Sequence, residues 1–177
     1  SSSVIALALC YFGKETFLPW LIGVAIILPL LDYGRHHIDL LRRIYTYYFT
    51  IFTRPIEYRN LSGASWVVIG AALTTIIFNE NTAIIGLLVL SLADSAAAII
   101  GLKFGNTHLF NKSLEGSAAF FIVAFLIVFY LSPAFFLINL IAVSAATAVE
   151  LFSTARMNDN LFIPLVTAFI LTLGGVA

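Results

Sequence analysis

The sequence is poor in charged residues and in cysteine. Of its 177 residues only 10% are charged, whereas 61% are hydrophobic. A soluble globular protein carries roughly a quarter of its residues as charged groups, so this chain is predicted to face lipid over most of its surface. The nine basic and nine acidic residues balance, which predicts no bulk attraction to nucleic acid. The single cysteine, Cys10, excludes an intramolecular disulfide and a cysteine metal cluster.

Seven apolar runs dominate the chain. Each is apolar on all sides, which favours helices over the alternating strands of a membrane barrel. We therefore predict an all-α, polytopic membrane protein with one transmembrane domain over residues 1–177. The predicted spans are residues 3–13, 16–33, 61–78, 82–102, 114–131, 133–152 and 160–176. The first is shorter than the roughly 20 residues that cross a bilayer, so we expect either a partial span or, preferably, a helix whose earlier residues precede Ser1.

Basic residues lie almost entirely in alternate connections, those after the second, fourth and sixth spans. Only Lys14 falls on the other side. This asymmetry predicts that the basic connections face the cytoplasm. The residues concerned are Arg35, Arg42, Arg43, Arg54, Arg59, Lys103, Lys112 and Arg156.

The connection after the second span, residues 34–60, mixes arginines with aliphatic and aromatic residues. This pattern is typical of a helix that lies in the cytoplasmic interface. Near its end, Glu57 and Arg59 are candidates for orienting lipid or nucleotide groups, and pairing with neighbouring charges is the alternative. The adjacent His36 and His37 point different ways on a helix and have no third ligand spaced for zinc.

Residues 92–117 combine a carboxylate, two glycines and two lysines at the end of an apolar run. A carboxylate at membrane depth, Asp94, is costly and therefore indicates function. Gly101 and Gly105 would let the backbone approach a bound group, while Lys103 and Lys112 supply compact charges for phosphate. A glycine loop of this kind predicts a metal–nucleotide site at the membrane face. The alternative is a plain polar loop with a snorkelling lysine and a paired aspartate.

A second polar island, residues 150–164, follows the sixth span. Glu150 lies in an apolar context and needs a partner there. Asp159 and Asn160 open the seventh span, where helix capping is the alternative to a functional role. Ser113, followed by Glu115 and Gly116, has the same alternative of a capped helix start, although a helix N-terminus is itself an anion site.

Both polar stretches match motifs of one enzyme group. The pattern D-x6-G-x3-G-x6-K-S-x-E-G-S, from Asp94 to Ser117, resembles the signature of the CTP-dependent lipid kinases. These are the dolichol kinases, phytol kinases and CTP-type diacylglycerol kinases, with phosphatidate cytidylyltransferase as a more distant relative. The pattern E-x8-D-N-x3-P, from Glu150 to Pro164, is similar to the C-terminal motif of the same group. The resemblance covers roughly residues 54–164.

The resemblance implies a membrane enzyme that transfers the γ-phosphate of CTP to a polyprenol, phytol or diacylglycerol type of lipid alcohol. Magnesium is the expected cofactor, with the active site on the cytoplasmic face of a single catalytic domain. Asp94 and Glu115 are the predicted metal ligands. The predicted catalytic residues are Asp94, Lys112, Glu115, Glu150 and Asp159. The predicted nucleotide-binding residues are Gly101, Lys103, Gly105, Lys112, Ser113, Gly116 and Asn160.

Two other functions compete with the kinase. The first is synthesis of CDP-diacylglycerol, but the chain lacks the long polar C-terminal signature of the cytidylyltransferases. The second is a small transporter that uses Asp94 and Glu150 as intramembrane carboxylates, which predicts carboxylates near the midplane and no nucleotide binding. Glycine and alanine on several spans permit close helix packing, so a homo-oligomer is compatible with the sequence.

Overall fold

The structure, a computed structural model, describes residues 2–38, 61–109, 112–153 and 158–176. Seven helices form within these ranges, one for each predicted span, so the predicted all-α membrane architecture is confirmed. The predicted interfacial helix, Glu57 and Arg59 lie outside the described residues. The helices are α1 (Ser2–Phe12), α2 (Lys14–His37), α3 (Gly63–Ile77), α4 (Glu80–Phe104), α5 (Leu114–Leu131), α6 (Phe136–Phe152) and α7 (Asp159–Leu173).

The outside of the bundle is apolar. Large hydrophobic side chains such as Trp20, Ile26 and Leu137 are more than half exposed. Among the described residues, α2, α4 and α5 are long and apolar enough to cross a membrane, and the other four helices are shorter and apolar. An apolar outer surface of this kind suits contact with lipid tails, where a helix satisfies its own backbone hydrogen bonds.

Side-chain caps set where several helices begin. Ser62 accepts from the backbone N–H of Ser65, Asn79 from Thr82 and Ser113 from Gly116. Each cap satisfies one of the backbone donors that the first turn of a helix leaves without an internal partner. These caps keep the ends of α3, α4 and α5 in fixed places relative to their connections.

Two groups of buried side chains form the core. The larger lies among α4, α5, α6 and α7, and the smaller joins α1, α2 and α3 to the first part of α4. Glycine allows α7 to approach both α3 and α4 closely. A Cβ on Gly70 would lie 2.6 Å from the carbonyl oxygen of Asn160, and one on Gly86 would lie 2.7 Å from that of Pro164. The start of α7 is thereby packed against α3, and its next turn against α4.

Helix α4 contains an irregular turn just before Asp94. An α-helical segment, Glu80–Leu88, is followed by a π turn, Val89–Ala93, and a second α-helical segment, Asp94–Phe104. The helix continues through Gly101, as the predicted span 82–102 requires, whereas the interpretation of this stretch as a glycine loop is wrong. Gly101 lies inside the helix and Gly105 ends it. Asp94 lies ten residues before Phe104, about 15 Å from that end of the helix at 1.5 Å per residue.

A short hairpin, which was not predicted, connects α4 to α5. Its strands are β1 (His108–Leu109) and β2 (Lys112–Ser113), which pair antiparallel with Leu109 opposite Lys112. The backbone N–H of Leu114 also donates to the carbonyl oxygen of Thr107 at 2.9 Å. The hairpin places Lys112 directly at the entrance to α5.

Replacing Gly105 by alanine is expected to destabilise the protein by about 1–3 kcal/mol, because the contact cannot accept an extra methyl group. The new Cβ would overlap the carbonyl oxygen of Gly101 and would lie 2.8 Å from the Cβ of Ser113. Gly23→Ala is the matched control, since no heavy atom outside its own helix backbone lies within 4 Å of the new Cβ. Thermal unfolding in detergent should show a lower midpoint for Gly105→Ala only, and equal midpoints would contradict the close contact.

Candidate active site

The ammonium group of Lys112 lies between two carboxylates. Its Nζ is 3.0 Å from Oε1 of Glu150 and 3.1 Å from Oδ2 of Asp159. The three residues come from β2, the last turn of α6 and the first residue of α7. Three of the predicted catalytic residues are therefore in direct contact, although they are far apart in the sequence. Contacts between ionised groups at these distances are strong, charge-assisted hydrogen bonds.

Glu150 is the buried member of this cluster, and its side chain is only 2% exposed. Its second oxygen, Oε2, accepts a hydrogen bond of 2.7 Å from the hydroxyl of Ser117 on α5. The carboxylate thus has the partners that its depth demands. Ser117 belongs to the motif from Asp94, but its contact with Glu150 was not predicted. The available signal was its position on α5, one turn after the cap Ser113, which brings its hydroxyl to the depth of Glu150.

Opposing influences act on the pKa of Lys112. Burial is the largest single influence and lowers the pKa, but the charges and hydrogen bonds of Asp159 and Glu150 together outweigh it. The pKa of Lys112 is therefore raised above its ordinary value. The side chain remains a cation at neutral pH, and 27% of it is exposed.

Asp159 is the first residue of α7, where the partial positive charge of the helix start favours a carboxylate. The capping alternative is realised one residue earlier, because Asn158 accepts from the backbone N–H of Asn160 at 3.1 Å. The same N–H donates to Oδ1 of Asp159 at 3.0 Å. This second contact leaves Oδ2 of Asp159 for Lys112 and, at 3.4 Å, for the hydroxyl of Ser153.

The three glycines of the motif surround Ser113. A Cβ on Gly101 would lie 2.8 Å from Oγ of Ser113, and one on Gly116 would lie 2.9 Å from both that Oγ and the carbonyl oxygen of Ala97. Ser113 itself is buried and caps α5, as the capping alternative predicted. The glycines therefore allow α4 and α5 to pack closely at the entrance to the site. Their contact with phosphates stays a prediction.

Three other predicted residues lie on α4 and at the start of α5. Asp94 precedes Gly101 by seven residues, about two turns, so both lie on the face of α4 that packs on α5, with Asp94 about 10 Å further along the axis. Glu115 accepts from the backbone N–H of Thr107 at 3.1 Å. Lys103 is exposed, with Nζ 5.8 Å from the centre of the Phe104 ring. The role of each at a nucleotide stays a prediction.

The donor atoms of the cluster suit magnesium. This ion prefers oxygen ligands and is usually held by one or two carboxylates together with substrate phosphates. Glu150 and Asp159 present carboxylate oxygens from two helices to one point, the position of Nζ of Lys112. Over the described part of the chain, no three histidine, cysteine, aspartate or glutamate side chains group closely enough to hold a metal by themselves. The predicted pair of ligands, Asp94 and Glu115, stays a prediction.

A second polar cluster, centred on Asp32, was missed in the sequence. Asp32 is 4% exposed, and its Oδ2 accepts from the backbone N–H of Ser62 at 2.8 Å and from its hydroxyl at 2.5 Å. The hydroxyl of Ser65 donates to the same oxygen. The cluster joins the end of α2 to the start of α3. A carboxylate near the end of an apolar span was the available signal, the same one that singled out Asp94.

Comparison with known proteins identifies relatives of the chain, although no protein-family model and no solved structure matches it. An uncharacterized protein of Rickettsia prowazekii is 38% identical over 144 residues, which are 76% of this chain and 71% of the relative. A CTP-dependent diacylglycerol kinase of Saccharomyces cerevisiae is 33% identical over 128 residues, 67% of this chain and 43% of the relative. A dolichol kinase of Schizosaccharomyces pombe is 36% identical over 89 residues, 46% of this chain and 18% of the relative.

Fold and site together define a polytopic α-helical membrane protein with a partly buried, charged cluster at one end of its bundle. This similarity to named lipid kinases confirms the resemblance to the CTP-dependent lipid kinase family that the two motifs predicted. The chain spans less than half the length of either of the kinases named above.

Proposed function

We propose that this protein is a CTP-dependent lipid kinase that transfers the γ-phosphate of CTP to the hydroxyl group of a membrane lipid alcohol. The observation that carries the proposal is the Lys112–Glu150–Asp159 cluster, whose cation and carboxylates come together from three elements of an apolar bundle. The similarity of the chain to named lipid kinases supports the same reaction.

Phosphoryl transfer depends on positioning and on neutralising the charge of the moving phosphoryl group. Lys112 supplies a cation for the phosphates of CTP. Glu150 and Asp159 supply oxygen ligands for a magnesium ion, which when bound would neutralise charge on the phosphates. Ser117 holds the carboxylate of Glu150 in place through its hydrogen bond.

Asp94 has a separate role in this proposal. It lies on the α5-facing side of α4 and is half-buried, about 15 Å along the helix from Phe104. In this proposal its carboxylate takes the proton of the lipid hydroxyl or adds an oxygen ligand beside the phosphates. The hydrocarbon tail of the acceptor would remain against the exposed apolar faces of the bundle. The positive-inside asymmetry favours a cytoplasmic location for the nucleotide.

The test uses purified protein, magnesium and CTP that is labelled separately at the γ and α positions, with dolichol, phytol, diacylglycerol and phosphatidate as acceptors. The proposal predicts γ-label in a lipid alcohol and release of CDP. Label from the α position in lipid, with pyrophosphate released, would establish a cytidylyltransferase instead. Failure of the protein to bind CTP and to transfer either label would contradict both enzymes and favour the transporter.

A further inference from the structure

In the proposed function, a lysine and two carboxylates bind different ligands, although these three side chains already form ion pairs with each other. Lys112 is assigned to phosphate and the carboxylates of Glu150 and Asp159 to a divalent cation, yet Nζ of Lys112 lies within 3.1 Å of both carboxylates. The hydroxyl of Ser117 holds the other oxygen of Glu150, so that Oε1 is directed at the lysine.

A divalent cation and the ammonium group compete for the same space. Magnesium binds oxygen at about 2.0–2.1 Å, so an ion held by Oε1 of Glu150 and Oδ2 of Asp159 must lie between the two oxygens that now contact Nζ. Two cations at this separation also repel each other strongly in a partly buried site. The metal therefore enters only when the ammonium group leaves.

The side chain of Lys112 is flexible enough to move away from the carboxylates, but its charge is needed there while the site is empty. Its side chain is a flexible four-carbon stem and is 27% exposed, whereas the side chain of Glu150 is 2% exposed. A buried carboxylate without a counter-charge is strongly unfavourable. The lysine compensates that charge until another cation takes its place.

We propose that Lys112 is an internal counter-cation, which occupies the divalent-cation position of the empty site and moves to the phosphates when metal and nucleotide bind. This inference rests on the proposed function and adds a mechanism of coupling to it. The protein thereby disfavours metal without nucleotide, because the lysine would lose its carboxylates and gain no phosphate in exchange. Each ligand raises the affinity for the other, as linkage requires.

The test measures binding of Mn²⁺ by electron paramagnetic resonance, without nucleotide, to purified wild type and to Lys112→Gln. Glutamine keeps two N–H donors for the carboxylates but removes the charge. We expect Lys112→Gln to bind Mn²⁺ about tenfold more tightly than wild type, a typical size for coupling between sites, and to bind CTP more weakly. A lysine that only contacts phosphate would leave Mn²⁺ binding unchanged, and one that only supports the fold would weaken it.

Lys14→Met is the matched control, because Lys14 lies at the opposite end of the bundle and its Nζ donates to the carbonyl oxygen of Phe78. It should leave the binding of Mn²⁺ and of CTP unchanged.

Lys112→Arg keeps the charge and is the variant to measure if Lys112→Gln does not fold. Its guanidinium group binds carboxylates more strongly than an ammonium group does, so it should leave the metal position less readily. CTP should therefore promote less Mn²⁺ uptake than in wild type. Undiminished uptake in Lys112→Arg would contradict the proposal.

Failure of the proposed function and failure of the counter-cation role of Lys112 give different results. Wild type that neither binds CTP nor transfers phosphate would overturn the proposed function. Wild type that binds CTP, together with a folded Lys112→Gln whose Mn²⁺ affinity equals or falls below that of wild type, would overturn only the counter-cation.

Discussion

Asp94→Asn is expected to lower the rate of CTP-dependent lipid phosphorylation by about 100- to 1000-fold, the usual effect of losing one group that stabilises the transition state. Asparagine has nearly the same volume as aspartate, so the helix and its packing on α5 should persist. The loss follows because an amide neither takes a proton from the acceptor hydroxyl nor neutralises a metal ion. The measurement is the initial rate of γ-label transfer, with thermal unfolding of the same sample as the test of the fold.

Glu80→Gln is the control for this experiment. Glu80 is also an acidic residue on α4, but it lies at the first residue of the helix, where its Oε2 accepts from the backbone N–H of Lys14 at 2.7 Å. Its replacement should leave the rate close to that of wild type. If Asp94→Asn retained the wild-type rate as well, the assignment of Asp94 to the reaction would be wrong.

Glu150→Ala is expected to cost about 3–5 kcal/mol of stability, because it removes one partner from a buried ion pair. Lys112 would keep only Asp159, and the hydroxyl of Ser117 would lose its acceptor. The measurement is unfolding of the purified protein in mixed micelles with increasing SDS. Glu150→Gln should cost less, since its amide oxygen still accepts from Ser117.

Glu115→Ala separates this effect from the general loss of an acidic residue near the site. Glu115 lies on α5 and accepts from the backbone N–H of Thr107, which is exposed to solvent. Its removal should change the unfolding midpoint far less than Glu150→Ala does. Equal midpoints for the two variants would show that the Lys112–Glu150 contact adds nothing to stability.

The apolar runs were sufficient to predict the helices and their order. Within lipid a helix is the element that satisfies its backbone without a neighbouring strand, so a long run that is apolar on all sides leaves little choice. Between Asp94 and Gly105 the glycines suggested a loop, whereas the apolar run predicted the span 82–102, and the helix reaches Phe104. Alanines at positions 96–98 favour a helix there, and the glycines serve the contact with α5. That contact depends on a second helix, so the sequence around the glycines alone does not predict it.

The residue types of the site were also visible in the sequence, because charged groups are rare in this chain and costly in a membrane. The sequence by itself thus determined the class of protein, the seven apolar helices of the described residues and the two motifs that hold most of the candidate residues. Only the tertiary structure decided that Lys112 binds both Glu150 and Asp159, and that Asp32 joins Ser62 and Ser65. Such partnerships depend on the depth and rotation of each helix, and a helix that is apolar on every side carries no periodic signal for either.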